Sequence, residues 1–375
     1  MPELFEKTGI RSLELSNRAV RSATWSGVGD DRGSVTDTAV EFYSELARGD
    51  IGLIVTGYQY VLPNGQQLRY MIGNYEDGQV EGLKRLADAV HAEGGKIVPQ
   101  IVHCGVRATK QLFREDEEVW GPSAIPDPVT GRVPKEVSRG EITRLVEAYA
   151  AAAARALEAG FDGVQLHGAH GYGINEFLSP LWNQRGDAYG GSPKKRYRFL
   201  GEVLEAVRAA VGDDFPVLIK LSGADFAEGG LVPQESREIA RRLADDGIDA
   251  IEVSGGTPAS PANMGPLRTK IRTEEDEAYF ADLAAAIKEK VDVPVITVGG
   301  IRSLTTIDRI LREKQADYVA MSRPFIREPH LLNRWKSGDR ERAACISCGG
   351  CFETGMKGVG ISCKVVRERG EEAQS

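Results

Sequence analysis

Eight short runs rich in β-branched residues punctuate this chain, and long stretches between them carry helical periodicity. The runs are 18–24, 51–56, 96–101, 162–166, 216–221, 249–253, 294–298 and 317–321. Amphipathic stretches include 79–93, 141–159, 195–211, 234–246 and 275–290. In the second of these, Leu145, Ala148, Tyr149 and Ala152 recur at the spacing of one helix face, and Gly160 follows as a stop. Strand then helix, eight times over, predicts an α/β chain folded as a (β/α)8 TIM barrel. An open doubly wound sheet would instead carry G-x-G-x-x-G after an early strand, and no such motif occurs. A length of 375 residues accommodates one barrel with a short Cys-rich C-terminal tail, divided here as 1–335 and 336–375.

Composition narrows the partners. A net charge of −8 and a pI near 5.4 argue against nucleic acid and acidic membrane surfaces. The first residues lack the apolar core of a secretory signal, and no uncharged apolar run reaches the roughly 18 residues of a membrane span. The expectation is a soluble cytoplasmic protein acting on a small molecule. Whether it is a homo-oligomer is left open by the pattern. Five cysteines do not make a secreted disulfide scaffold.

Two segments stand outside the repeat. The connection 105–140 is long and holds Pro122, Pro126, Pro128 and Pro134, which predicts a lid over the site or a loose loop. The tail holds Cys345, Cys348, Cys351 and Cys363, a spacing able to wrap a [4Fe–4S] cluster or a Zn²⁺ ion. Cys104 is a lone thiol, read as a buried spectator.

Barrels carry their chemistry at the C-terminal ends of the strands. The first strand exits through Ser22, Ala23, Thr24 and Trp25, and the second through Gly57 and Tyr58. The seventh ends in Gly299 and Gly300, the eighth in Ser322 and Arg323. Glycines admit a close backbone approach and arginine binds dianions, so this last group predicts a phosphate site, although Gly-Gly alone also makes an ordinary tight turn. Two of the five histidines, His167 and His170, leave the fourth strand three residues apart, followed by Tyr172. Two imidazoles can donate to one carbonyl oxygen and drain electrons from a conjugated C=C bond, and a tyrosine can then protonate it. A satisfied core histidine is the plainer reading; a metal site would want a third ligand nearby. Lys220 in the apolar run VLIKLS demands an anion, either a bound anionic edge or an interior partner such as Asp225 or Glu252. Gln100 offers a donor and an acceptor, for a heterocycle edge or for the core.

The block HGAHGYGINEFLSPLWNQRGDAYGGSPKKRYRF at 167–199 resembles the signature of old yellow enzyme-like NADH:flavin oxidoreductases. LSNRAVRSAT, GLKRLADAVHAEGGKIVPQIVH, GPSAIP, ITVGGI and SRPFI extend the resemblance from about residue 5 to 363. It implies FMN on the barrel mouth, NAD(P)H as electron donor, and an ene-reductase acting on activated C=C bonds. By the same resemblance, His167 and His170 hold the substrate oxygen and Tyr172 donates the proton. Gln100 and Lys220 would hold the flavin pyrimidine edge, and Ser322 and Arg323, with Gly299 and Gly300, the phosphate. Ser22 to Trp25 would lie under the flavin, with Gly57 or Tyr58 beside it. Lys220 stands where many relatives carry Arg, and Trp25 where many carry Thr or Cys. The cysteine spacing resembles the branch containing trimethylamine dehydrogenase and 2,4-dienoyl-CoA reductase, which implies a [4Fe–4S] cluster, with zinc as the alternative, and an electron-donor protein as partner. Two other functions stay in view: an amine dehydrogenase or demethylase, whose cationic substrate would want an aromatic cage from Trp25, Tyr58, Tyr60 or Trp182, and an electron-transfer subunit.

Overall fold

The computed structural model describes residues 3–113 and 115–372. Residues 1–2, position 114 inside the long connection and the polar end 373–375 lie outside the described residues.

The predicted strands form. They are β1 (Ala19–Arg21), β2 (Leu53–Val55), β3 (Ile97–Val98 and Gln100–Val102), β4 (Val164–Gly168), β5 (Val217–Ser222), β6 (Ala250–Ser254), β7 (Val295–Val298) and β8 (Tyr318–Met321). All neighbours run parallel, and β8 pairs β1, so the sheet returns on itself. Closure between β2 and β4 passes through β3, which is broken at Pro99. A proline has no N–H for a ladder, so the strand changes partner there. Ile97 and Val98 pair β2; Gln100 and Ile101 pair β4. The eight helices that follow the strands are α1 (Asp37–Arg48), α2 (Val80–Ala92), α3 (Arg139–Glu158), α4 (Pro193–Val211), α5 (Pro233–Asp245), α6 (Ala281–Lys288), α7 (Leu304–Arg312) and α8 (Leu331–Lys336).

One helix starts later than its pattern suggests. The expected stretch 275–290 is helical only over α6, because its early acids serve other backbones. Asp276 accepts from Arg272 and Thr273 N–H, and Glu277 from Arg302 and Ser303 N–H. A side chain committed to a loop amide holds its residue in a turn.

Inside, the barrel is apolar below and polar above. Val20, Leu53, Val98, Leu218, Ala250 and Ile296 fill the lower layer with Ile10, Leu13 and Leu15. These last three belong to an N-terminal hairpin, Thr8–Ile10 against Leu13–Leu15, that stoppers the bottom. The connection 105–140 is built rather than loose. Trp120–Gly121 pairs Lys135–Glu136. The buried Arg185 guanidinium donates to Pro122 and Val137 carbonyls and pairs Asp187.

The turn after β4 is held from outside the barrel. Phe177, in the short helix Gly173–Leu178, lies with its ring centroid 4.2 Å from that of Phe199 on α4. Both are essentially unexposed. Phe199→Ala removes that support and leaves a cavity. We expect a loss of about 3–5 kcal/mol in urea unfolding; a loss below ~1 kcal/mol would show that the site turn is held by something else.

Candidate functional site

A cavity of about 340 Å³ opens above the polar layer, at the C-terminal ends of the strands. Of the residues singled out from sequence, Ser22, Ala23, Thr24, Trp25, Tyr58, His170, Lys220, Gly299, Gly300, Ser322 and Arg323 line it. Both Thr24 and Trp25 reach the cavity, and Thr24 shares a hydrogen bond with Ser322 across the β1–β8 seam. Gly57, Gln100, His167 and Tyr172 do not line it. Gly57 N–H donates to the Tyr43 hydroxyl, and its missing Cβ leaves room for Thr24 O, which would lie 2.8 Å away.

The floor is a buried polar chain. Gln100 donates to Gln165 Oε1 (2.7 Å), and Gln165 donates to Glu252 Oε2 (2.9 Å). Glu252 Oε1 accepts from Ser22 Oγ at 2.6 Å and faces Lys220 Nζ at 3.0 Å. Lys220 also donates to Ser22 Oγ. The interior anion that Lys220 demands is therefore Glu252, its register neighbour on β6. Asp225 is occupied elsewhere, accepting from Leu231 N–H and Asn175. Glu252 carried the same sequence signal as Lys220, a charge inside the apolar run AIEVS.

At one end stand the histidines. His170 takes a left-handed backbone (φ 67°), and Gly171 follows at 70°. This reversal brings His170 back toward His167, with ring centroids 5.2 Å apart and nearly perpendicular. Tyr172 packs edge-on to His167 at 4.8 Å. His170 Nε2 lies 2.7 Å from Ser254 Oγ at the end of β6. The Tyr172 hydroxyl donates to Gln67 Oε1 at 2.8 Å, and Tyr58 donates to the same oxygen at 2.9 Å. Gln67 was missed from sequence, since a glutamine in a polar loop carries no periodic or motif signal. Burial, then the neighbouring His170 and Lys220, holds His167 well below the usual imidazole range. Burial, then Lys220, brings His170 down to about 3. Burial pushes the Tyr172 phenol up to about 12.

At the other end the charges differ. Arg323 donates only to carbonyls, those of Ser347 and Arg268. Arg268 lies over the Tyr279 ring at 4.3 Å, and its buried Nε has no partner. Neither guanidinium makes an ion pair among the described residues. Gly300 beside them is left-handed (φ 73°). Arg323, lining the cavity without a carboxylate partner, a hydroxyl and a glycine turn fit a dianionic phosphate. The cavity extends from this end to His170, and its lining suits an FMN.

The tail forms part of the wall. Ser347, Phe352 and Met356 line the cavity, and the Phe352 ring stacks on Trp25 at 6.5 Å. None of the described residues of 105–140 lines it, but Ala108 and Phe113 cluster with Tyr58 and Tyr172 and Thr109 donates to the Gln67 carbonyl; the outer wall is Pro266, Leu267 and the tail. Of the rings suggested for a cation cage, only Trp25 and Tyr58 reach the cavity, while Tyr60 stacks on Tyr75 and Trp182 is buried elsewhere. The four tail cysteines line one small cavity with Arg323 and Arg327. Among the described residues, no group of three or more His, Cys, Asp or Glu is disposed to hold a metal ion. No helix among them is long and apolar enough to cross a membrane.

Fold and site together define a barrel mouth with an arginine-bearing end that suits a phosphate and a neutral hydrogen-bonding end. The chain belongs to the NADH:flavin oxidoreductase / NADH oxidase family, whose model matches residues 3–342. It is 36% identical to an NADH oxidase of Thermoanaerobacter brockii over 94% of its own length and 54% of the relative's. It is also 36% identical to an NADPH dehydrogenase of Geobacillus sp. (strain WCH70), over 94% of this chain and 98% of that one. Among solved structures, a 2-naphthoyl-CoA reductase bound to 2-naphthoyl-CoA superposes with a TM-score of 0.90 at 28% identity, over 96% of this chain and 56% of the other. The chain thus spans about half the length of some relatives and nearly all of others. FMN and NAD(P)H are the cofactors of such a family.

Three histidines, His103, His167 and His170, are held below their ordinary range, His103 by burial to about 3. The folded protein therefore binds fewer protons there than the unfolded chain once pH drops below about 6.5. Stability is full above that pH and is lost as pH falls toward 3. Each such histidine contributes a slope of about 1.4 kcal/mol per pH unit in that window. His103 stacks on Trp120 outside the main cavity, so His103→Phe keeps a ring there. Urea unfolding between pH 6 and 4 should show a slope shallower by about that amount; an unchanged slope would mean that His103 is not held neutral.

Proposed function

We propose that this chain reduces an activated C=C bond, of the α,β-unsaturated carbonyl type, with NAD(P)H-derived hydride and bound FMN. The observation that carries the reading is His170 in the wall of a cavity whose other end suits a phosphate, with the His167 and Tyr172 rings packed directly behind it. Bound FMN would supply the hydride chemistry that links the nicotinamide to the substrate. Ser322, Arg323, Gly299 and Gly300 would hold its phosphate, Ser22 to Trp25 and Tyr58 would flank the ring, and Lys220 would face the pyrimidine edge. Gln100, tied to Gln165, would act through the floor chain rather than by direct contact.

The protein's own part follows from protonation states. A neutral imidazole has one N–H to donate, so His167 and His170 would act on a carbonyl oxygen as uncharged donors, with Lys220 as the nearby cation. The tyrosine at about 12 keeps its proton at neutral pH and can act as an acid. Gln67 Oε1 holds that hydroxyl, and a bound substrate must draw it away. The amine dehydrogenase reading has less support, because only two of its four proposed cage rings, Trp25 and Tyr58, reach the cavity.

Tyr172→Phe should slow re-oxidation of the reduced enzyme by an enone about a hundredfold and leave bleaching of the flavin by NAD(P)H nearly unchanged. Equal rates in the enone half-reaction would sink the proton-donor role.

For the tail we favour a [4Fe–4S] cluster over zinc, on the cysteine spacing and on the convergence of all four residues at one cavity. An electron-donor protein becomes a partner only on that reading. Since the thiols are not disposed as a ready ligand set, no catalytic step is derived through a metal. Anaerobic purification with metal analysis decides: about four irons per chain and a broad shoulder near ~400 nm are expected, whereas one zinc or no metal removes the cluster.

A further inference from the structure

Behind the phosphate end lies a second, open pocket of about 500 Å³. Its wall carries four cations, Lys270, Arg272, Arg302 and Arg342, and no carboxylate. On a chain of net charge −8, that concentration of one sign calls for an anion. Lys270 and Arg272 are exposed, and among the described residues neither side chain makes an ion pair or hydrogen bond. Arg342 donates only to a carbonyl, that of Arg272. Arg302 is 3% exposed, donates to Cys345 and Ile271 carbonyls, and stands 3.9 Å from Glu277. That carboxylate is already engaged by Ser303 Oγ and two backbone N–H groups, and Arg302 Nε has no hydrogen-bond partner.

The pocket is built, not a chance gathering of surface side chains. Three arginine-to-carbonyl bonds clip the β6–α6 loop, the end of β7 and the tail to one another, and Ala343 N–H donates to Arg302 O. It is also more than an anion cup. Ile346, 59% exposed, and the buried Ile271 add apolar surface to the wall. Cations beside a flat apolar surface, with guanidinium planes able to stack on a ring, suit a heterocyclic base bearing a phosphate monoester. The volume exceeds what a bare phosphate needs. Arg302 lines both this pocket and the main cavity, so a ligand here adjoins the cofactor site.

We propose that this pocket binds the adenosine phosphate end of a nucleotide whose reactive end enters the main cavity. Two sources share that chemistry: the adenosine 2′-phosphate of NADPH and the adenosine 3′-phosphate of a coenzyme A thioester. Lys270, Arg272 and Arg342 hold the monoester, and Arg302 fixes the wall behind it.

Calorimetric titration of the flavin-loaded enzyme with 2′,5′-ADP, 3′,5′-ADP, adenosine and inorganic phosphate tests this without turnover, so its failure is separate from failure of the catalytic reading. At least one bisphosphate is expected to bind one per chain, at least about tenfold more tightly than adenosine or phosphate, and more weakly as salt rises. Preference for the 2′ or the 3′ isomer names the source; equal binding supports the shared chemistry. Lys270→Ala with Arg272→Ala should weaken binding roughly tenfold or more, and Arg342→Lys should bind more tightly than Arg342→Ala. Inorganic phosphate binding as tightly as the nucleotides would mean an adventitious ion only. That result, no bisphosphate binding, or binding unchanged in the double variant would each overturn the proposal.

Discussion

The contact between Lys220 and Glu252 organises the upper half of the barrel. Taking two charges out of water costs several kcal/mol each, and mutual attraction returns that only when the remaining hydrogen bonds are made. Here they are. The carboxylate takes a lysine, a serine hydroxyl and a glutamine amide, and Gln165 passes the chain on to Gln100. Five strands thus share one polar layer, resting on the apolar layer and the N-terminal hairpin beneath. The layer is internally satisfied, so it is stiff. Lys220 is its charged member that also faces the cavity.

The same burial that makes the floor costly gives the site its polarity. At the strand-four exit, desolvation strips the imidazoles of charge and keeps a proton on the phenol. At the strand-eight exit, Arg323 meets only carbonyl dipoles and keeps its charge uncancelled. A single cavity therefore offers neutral donors at one end and cations at the other. Each end is set by what its neighbours lack: water around the histidines, carboxylates around the arginines.

Much of this was legible in the sequence, and for identifiable reasons. Strands of a closed barrel are buried on both faces, so they stand out as short β-branched runs. Charges inside such runs mark the polar layer, and Lys220 was found that way; Glu252 bore the same mark and was read only as one of two partners. His167 and His170 were conspicuous because histidine is scarce in this chain. The rest depended on long-range placement. Gln67 becomes important only when two tyrosines from different strand exits meet its amide oxygen. Gln100 lies one layer deeper than its hydrogen-bonding capacity suggested. Prolines in 105–140 signalled an unusual connection; Arg185 fastens its later part at Pro122 and Val137, while Ala108 and Phe113 cluster with Tyr58 and Tyr172.

The stack of Phe352 on Trp25 has a kinetic side. Trp25 leaves the first strand, and Phe352 follows the last one, so the wall they share joins segments almost a full chain apart. Thr24 and Ser322 repeat the pattern at the β1–β8 seam. Contacts of such sequence separation form late, after the entropy of closing the intervening loop has been met. A ribosome releases the first strand long before its partner exists. The cavity is thus a clasp fastened last, and a flavin cannot be fully enclosed until the whole barrel has already closed.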